Sequence, residues 1–159
     1  MPGELRGRPL VALIAVLACI GLSGCDRSHP ANQHTQSGAE QIAKAERTFD
    51  CNTLPGQECV YLKRIGGWVD RGRLSGQHVA GAIAFVSSGC VLCHTYRTIG
   101  SEQLEAPDLT HIGRTMSQAQ VARAIRCPAC LQRHSRMPPF RRLPRQTVEQ
   151  LAAFLAASR

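Results

Sequence analysis

The stretch "SSGCVLCHTYR", residues 87–97, holds the feature that most constrains this chain. Cys90 and Cys93 stand three positions apart, and His94 follows directly. Two thiols at this spacing can form half of a zinc site or a redox dithiol. With the adjacent histidine they can also form the attachment point of a c-type haem. Because a zinc site, a redox dithiol and a haem attachment point each need different surrounding residues, the rest of the sequence has to distinguish between them.

The N-terminal residues have the pattern of an export signal. A basic start leads into an unbroken apolar run of eleven residues, Leu10 to Ile20. This run is too short to cross a bilayer as a helix, which takes about 20 residues. It closes on the sequence "LSGC", which resembles the lipobox of bacterial lipoprotein signals.

The lipobox resemblance implies that residues 1–24 are a cleaved lipoprotein signal and that Cys25 carries the lipid. Several acyl chains anchor a protein firmly, whereas one chain binds only marginally. By resemblance to the enteric sorting rule, Asp26 favours the inner membrane. We therefore expect a lipid-anchored protein of the bacterial cell envelope that faces the periplasm. The alternative is a secretory signal that is simply cleaved, with Cys25 incidental.

Composition divides the remaining chain into three parts. Residues 25–48 are polar and small, and they are predicted to be a lipid-anchored tether with a possible short helix near Glu40 to Arg47. Residues 49–75 are a cysteine-containing N-terminal extension with a Pro-Gly turn. Residues 76–159 are predicted to be the main domain.

Three segments of residues 76–159 have helical periodicity, and no convincing alternating strand appears. The first has apolar residues at spacings of four and three, the second opens on a capping box, and the third carries an apolar stripe behind a proline. The residues concerned are Val79, Ile83 and Val86; Ser117 with Gln120; and Val148, Leu151 and Leu155, with Phe154 beside them and Pro144 at the start. The predicted class is all-α.

The small helical domain is short of core-forming side chains. The whole chain has only seven aromatic residues, and domains of this size are marginally stable by themselves. A covalently attached porphyrin would supply apolar mass. Two thiols at the CxxC spacing can each form a thioether with one haem vinyl group, and the next histidine then lies under the iron. Both arguments favour haem over a bare dithiol.

The last 84 residues resemble the class I, mono-haem cytochromes c. In that family a helix with glycine and phenylalanine four apart leads into the haem motif, and here Gly81 and Phe85 precede it. The turn "APDLTHIG" stands where the family has Gly-Pro-x-Leu, with alanine replacing the first glycine, and the loop "MPPF" matches fully. The resemblance implies a small cytochrome c fold whose helices pack around one covalently attached haem. It also implies that Phe154 of the last helix crosses the first helix at Gly81 and Phe85.

The resemblance also implies a role for each residue of the site. Cys90 and Cys93 would hold haem c covalently, His94 and Met137 would be the axial iron ligands, and the Pro107 carbonyl would accept the Nδ1 proton of His94.

Met137 is favoured as the second ligand by the two prolines that follow it. A thioether binds iron weakly, and proline restricts both itself and the residue before it, so less entropy is lost on ligation. Met116 and His134 are the rival ligands.

The second Cys-x-x-Cys, Cys127 and Cys130, has Leu131 where a haem motif needs histidine, so a second haem is not expected. Zinc bound by both cysteine pairs is disfavoured for two reasons. The 33 residues between Cys93 and Cys127 exceed the usual gap, and an oxidising compartment does not keep four thiolates reduced.

Four cysteines are left for disulfides, and four allow three pairings. The local pairing, Cys51 with Cys59 and Cys127 with Cys130, is the prediction because both pairs are close in sequence. Cross-pairing between the two pairs, or a redox-active dithiol at Cys127 and Cys130, is the alternative.

The formal net charge is +8, and seven arginines between Arg123 and Arg145, with no acid among them, surround the Met137 loop. We expect this basic surface to steer an acidic docking surface of a redox partner, such as a membrane-bound oxidase, reductase or dehydrogenase. The alternatives are a merely solvated face and attraction to anionic lipid. Nucleic acid is not an expected partner of an exported lipoprotein.

The predicted function is therefore single-electron transfer between redox partners through a His/Met-ligated haem, by a carrier and not by an enzyme. A haem-based small-molecule sensor, or a haem subunit of an enzyme complex, is an alternative from a different class. A thiol-redox module using Cys127 and Cys130 is another.

Overall fold

The computed structural model describes residues 36–101 and 106–159, and helices form most of this part of the chain. The helices are α1 (Gly38–Thr48), α2 (Gln57–Asp70), α3 (Gln77–Ser87), α4 (Gln118–Arg126) and α5 (Arg145–Ala156). Short 3-10 turns cover Cys90–Leu92, Ile112–Arg114 and Pro128–Cys130. The all-α class is confirmed for these residues. The predicted signal, Cys25 and the first residues of the predicted tether lie outside them.

Two helices begin on a capping box. At α4, the Ser117 hydroxyl accepts from the Gln120 N–H, and the Gln120 side chain accepts from the Ser117 N–H. This is the start predicted from the sequence. At α1, Ser37 and Glu40 make the same reciprocal pair. Each box satisfies two backbone N–H groups that a helix start otherwise leaves unpaired.

The packing of α3 against α5 depends on Gly81. A Cβ at this position would fall on the carbonyl oxygen of Gln150 and on the Cβ of Phe154, so only glycine allows the two backbones to approach this closely. The rings of Phe85 and Phe154 lie beside the contact with their centroids 6.3 Å apart. The crossing of first and last helix that the resemblance implies is therefore present between α3 and α5.

The core is continuous from the N-terminal helices to α5. The predicted stripe of α5 is buried, as is Phe154 beside it, and Pro144 is the N-cap residue just before the helix. Four aromatic rings, those of Trp68, Phe85, Tyr96 and Phe154, form a connected cluster. Most of the few aromatic residues are thus concentrated in one place.

Helices α1 and α2 form a hairpin closed by the Cys51–Cys59 disulfide. Ile42 and Ala45 of α1 and Leu62 and Ile65 of α2 are buried in the same core as α3. Residues 35–159 accordingly form one compact unit. The structure differs here from the sequence-based division. The sequence predicts a tether over residues 25–48 and an extension over residues 49–75, whereas in the structure the apolar face of α1 and the helix α2 both pack into the core.

A two-stranded antiparallel hairpin follows the CxxCH motif, with β1 at Thr95–Tyr96 and β2 at Ile99–Gly100. Strands of two residues are too short to show the alternation that identifies a strand in a sequence, which is why none was predicted. Arg97 at the tip has a φ of 54°, in the left-handed region that side chains other than glycine seldom occupy.

Of the helices in residues 36–101 and 106–159, none combines the length and the apolar character needed to cross a membrane.

Substituting Gly81 tests the close contact between α3 and α5. We expect Gly81→Ala to lower the free energy of unfolding by about 2 kcal/mol or more, since the added methyl group must displace the backbone of α5. Urea denaturation followed by circular dichroism measures it. Gly66→Ala in α2 is the control, because a Cβ there meets only Ile42, at 3.7 Å, and should stabilise the helix by about 0.5–1 kcal/mol. Equal stability of Gly81→Ala and the parent protein would contradict this account of the crossing.

Candidate functional site

The CxxCH motif is wound into a single tight turn at the end of α3. Gly89 has a φ of 76°, which ends the helix in the left-handed conformation that glycine adopts easily. The backbone N–H groups of Cys93 and His94 then both donate to the carbonyl of Cys90, at 3.2 and 2.9 Å. The two cysteines and the histidine are therefore held together by local backbone hydrogen bonds.

Cys90 and Cys93 are the free cysteines among the described residues, and both are partly buried. Burial is the largest cause that raises the pKa of the Cys90 thiol to about 11. Reactive redox dithiols have a lowered thiol pKa, because the thiolate is the nucleophile. The surroundings of Cys90 are thus those of a thiol held protonated and apolar, and they do not suit an activated dithiol.

His94 is oriented by one hydrogen bond. Its Nδ1 lies 2.9 Å from the carbonyl oxygen of Pro107. A carbonyl can only accept, so Nδ1 carries the proton and Nε2 presents a lone pair. This is the arrangement in which a histidine is ready to ligate a metal through Nε2, with its ring orientation set by a second group. It is also the contact that the resemblance implies.

The Pro107 carbonyl is held in place by the residues that follow it. The Leu109 N–H donates to the carbonyl of Thr95 at 2.9 Å, and the Arg97 N–H donates to the Thr110 hydroxyl at 2.7 Å. These two bonds fix the turn against the hairpin that begins directly after His94. The hairpin that follows His94 and the turn that follows Pro107 are therefore hydrogen-bonded to each other.

Asp108 stabilises this turn from within. Its Oδ1 accepts from both the N–H and the hydroxyl of Thr110, at 2.7 and 2.6 Å. The Thr110 hydroxyl is the largest cause that lowers the pKa of Asp108 below its ordinary value. Sequence reasoning did not identify either residue as part of the site. The available signal was the Asp-x-Thr spacing, which is typical of an Asx-turn.

The candidate second ligands differ in burial. Met137 and Met116 are both partly buried and packed against the core, whereas His134 is exposed. The Met137 loop is attached to the end of α4, since the Phe140 N–H donates to the carbonyl of Ile125 at 3.0 Å. Its start is held by the bond from the Met137 N–H to the Ser135 hydroxyl, at 3.3 Å. Among the predicted haem-site residues, the described contacts join Cys90, Cys93, His94 and Pro107, but they do not join Met137 to them.

Cys127 and Cys130 are bonded to each other at the end of α4. The structure therefore has the local disulfide pairing and not the cross-pairing. Cysteines in a disulfide cannot serve as thiolate ligands. Within residues 36–101 and 106–159, no group of three or more His, Cys, Asp or Glu side chains is placed to bind a metal ion.

The arginines around the Met137 loop are almost all exposed. In the part of the chain that the structure describes, the one ion pair joins Arg145 to Glu149 at 2.7 Å on the surface. Among residues 36–101 and 106–159, no carboxylate forms an ion pair with the other six arginines of this group. A face of this kind is suited to attracting an acidic surface.

The chain has no significant match among protein-family models, curated proteins or solved structures.

The charge of Asp108 gives the turn a pH dependence. Because the folded-state pKa is lowered, the ionised carboxylate contributes stability that is present above its ordinary pKa and is lost as the pH falls through the folded pKa. We expect the difference in unfolding free energy between the parent and Asp108→Asn to be constant from about pH 5 to 7 and to shrink below about pH 4. Urea denaturation at a series of pH values measures it. In a Thr110→Val background the same difference should be smaller, and a pH-independent difference would mean that the carboxylate charge does not support the turn.

Proposed function

We propose that this protein is a membrane-anchored, periplasmic c-type cytochrome that transfers single electrons between redox partners. One observation carries the proposal. His94 of the CxxCH motif is oriented by the Pro107 carbonyl while both cysteines of the motif are free of disulfides. A zinc site would need further ligands, and a redox dithiol would need neither the histidine nor its orientation.

The residues of the site fit one covalently held haem c. Cys90 and Cys93 are unbonded, partly buried thiols, and the Nδ1 of His94 is engaged by the Pro107 carbonyl, which leaves Nε2 for a ligand. Met137 is partly buried in a loop that two prolines stiffen. When bound to these residues, haem iron supplies the exchange of one electron at a time.

The residues of this chain would hold the iron ligands in position before the cofactor binds. The Pro107 carbonyl accepts the Nδ1 proton of His94, which orients the ring and leaves Nε2 to face a ligand. The two prolines after Met137 reduce the conformations that its backbone can adopt, so ligation by a weak thioether costs less entropy. The contact of α3 with α5 at Gly81 supports the further proposal that the fold is that of a small cytochrome c.

The location and the partners follow from the sequence outside the site. Cys25 would carry the lipid that holds the protein at the inner membrane. The unpaired arginines around Met137 would attract the acidic docking surface of a membrane-bound oxidase, reductase or dehydrogenase. The protein would then be a carrier between such complexes, without a catalytic reaction of its own.

A thiol-redox role for Cys127 and Cys130 is the second candidate, and one observation favours it. Cys130 is exposed, so a partner dithiol could reach this disulfide. Structural disulfides are, however, far commoner in exported domains, and the position of this one at the end of α4 suits a structural role.

Covalent haem attachment is the direct test of the proposed function. After expression with a cytochrome c maturation system and denaturing electrophoresis, the full-length protein should stain for haem. Cys90→Ala/Cys93→Ala should lose the stain, because no thioether can form. The matched control, Cys127→Ala/Cys130→Ala, removes the same number of cysteines and should keep the stain. Removal of the haem by acid-acetone extraction would contradict covalent attachment.

Met137 and Met116 are distinguished by paired substitutions in the haem-loaded protein. Met137→Ala should lower the reduction potential, abolish the weak near-infrared sulfur-to-iron band of the ferric form, and allow carbon monoxide to bind the ferrous form. Met116→Ala should change none of the three. An unsubstituted protein that binds carbon monoxide readily would instead support the sensor alternative, and a missing near-infrared band would point to His134 or another ligand.

A further inference from the structure

A basic groove runs along one face of α2, in the part of the chain that precedes the predicted cytochrome domain. Val60, Lys63, Arg64, Gly67 and Arg71 line it, at intervals of three and four residues that place them on one side of the helix. Trp68 and Arg73 of the same segment and Thr98 of the β1–β2 hairpin complete the walls. These residues border an open, shallow depression of about 680 Å³, which we call the α2 groove.

The charge of the α2 groove is entirely positive. Its four ionisable residues are Lys63, Arg64, Arg71 and Arg73, and all four are exposed. No carboxylate of residues 36–101 or 106–159 lies within 4.0 Å of any of them, since the one ion pair found there is that of Arg145. Four like charges facing one concavity repel each other, and an anion placed between them would relieve that repulsion.

One of these arginines is held by a hydrogen bond, and another lies close to the helix backbone. The Arg64 guanidinium donates to the backbone carbonyl of Thr98, which ties the side chain to the hairpin. The Arg71 guanidinium lies over Gly67, 3.2 Å from the point where a Cβ would stand. Because Gly67 has no side chain, the Arg71 guanidinium can lie against the helix at this point. A positioned guanidinium loses less entropy when it binds a carboxylate.

The α2 groove also contains apolar surface. Val60 is 47% exposed at one end, which is unusual for a valine in a helix that packs into a core. The buried ring of Trp68 lines the inner wall, and the Arg97 guanidinium lies 5.7 Å from its centre. A ligand that fills this groove would therefore combine negative charge with at least one aliphatic group.

We propose that the α2 groove binds an acidic, extended segment of a partner protein, with carboxylates on the arginines and an aliphatic side chain on Val60. Arginine pairs with carboxylates through two parallel hydrogen bonds, and this favours Asp and Glu side chains as its partners. This binding site lies outside the proposed haem ligands and goes beyond the proposed electron-transfer function.

The groove would bring its partner close to the CxxCH motif. Thr98, which holds Arg64, lies in the hairpin that begins directly after His94. Trp68 and Tyr96 are in contact, with ring centroids 6.0 Å apart. A bound segment would therefore rest against the side of the molecule that carries the motif.

The test uses the full-length protein and a synthetic peptide of alternating Glu and Val residues, with a Gln and Val peptide as the uncharged comparison. Isothermal titration calorimetry should detect binding of the acidic peptide alone. Lys63→Gln/Arg71→Gln should weaken it at least about tenfold, because two charge-assisted contacts are lost. The matched control, Lys44→Gln/Arg47→Gln, removes one exposed lysine and one exposed arginine from α1, outside the α2 groove, and should change the affinity less than about twofold.

Shape is tested apart from charge by Gly67→Leu, which fills the floor of the α2 groove while keeping every cation. It should weaken peptide binding as strongly as the charge variant. Trp68 is the single tryptophan of the chain, so its indole N–H gives one NMR signal, and that signal should shift on addition of the acidic peptide. Circular dichroism of each variant establishes that it is folded.

Three results would overturn the proposal. One is unchanged affinity in both groove variants, and another is an equal loss in the Lys44→Gln/Arg47→Gln control, which would indicate unspecific charge attraction. The third is tighter binding of anionic phosphatidylglycerol vesicles, or of a single-stranded oligonucleotide, through the same residues. Because peptide binding is read without any haem signal, its failure would leave the proposed function standing, and failure of haem attachment would leave the α2 groove standing.

Discussion

The close approach of α3 and α5 at Gly81 is the contact on which the rest of the structure depends. It sets the position of the end of α3, and the CxxCH motif follows from that end without a flexible loop between them. The turn at Cys90 then delivers His94 to the Pro107 carbonyl. A side chain at Gly81 would move α3 relative to α5, and each of the later contacts would have to shift with it.

The orientation of His94 shows how a functional group is positioned by ordinary backbone hydrogen bonds. The imidazole is held by one carbonyl, and that carbonyl is held by a turn that Asp108 and Thr110 close. Each link is a single hydrogen bond worth about 1 kcal/mol. Together they restrict the ring to one direction, because the hairpin and the turn are fixed to each other as well as to the ring.

The α1–α2 hairpin contributes both core residues and surface charge to this small helical domain. It extends the core across α3, and it carries a set of unpaired cations on its outer face. Those cations belong to a different segment from the arginines around Met137. The protein therefore presents two basic surfaces, and charge steering falls off within about 10 Å at moderate salt. Each surface can then recognise an acidic partner by its own local shape.

Much of the site could be predicted from the sequence because its signals are local. The CxxCH spacing, the capping box at Ser117, the apolar stripe of α5 and the proximity of the paired cysteines all involve residues within a few positions of one another. Tertiary structure alone decided the rest. The hairpin at Arg97 is too short to leave a periodic pattern, and the packing of α1 depends on a core that distant helices build. The α2 groove exists because Gly67 leaves room for Arg71 while the hairpin holds Arg64. The contact of Arg64 with Thr98 joins residues that are far apart in sequence, and such a contact leaves no spacing pattern that a single sequence can reveal.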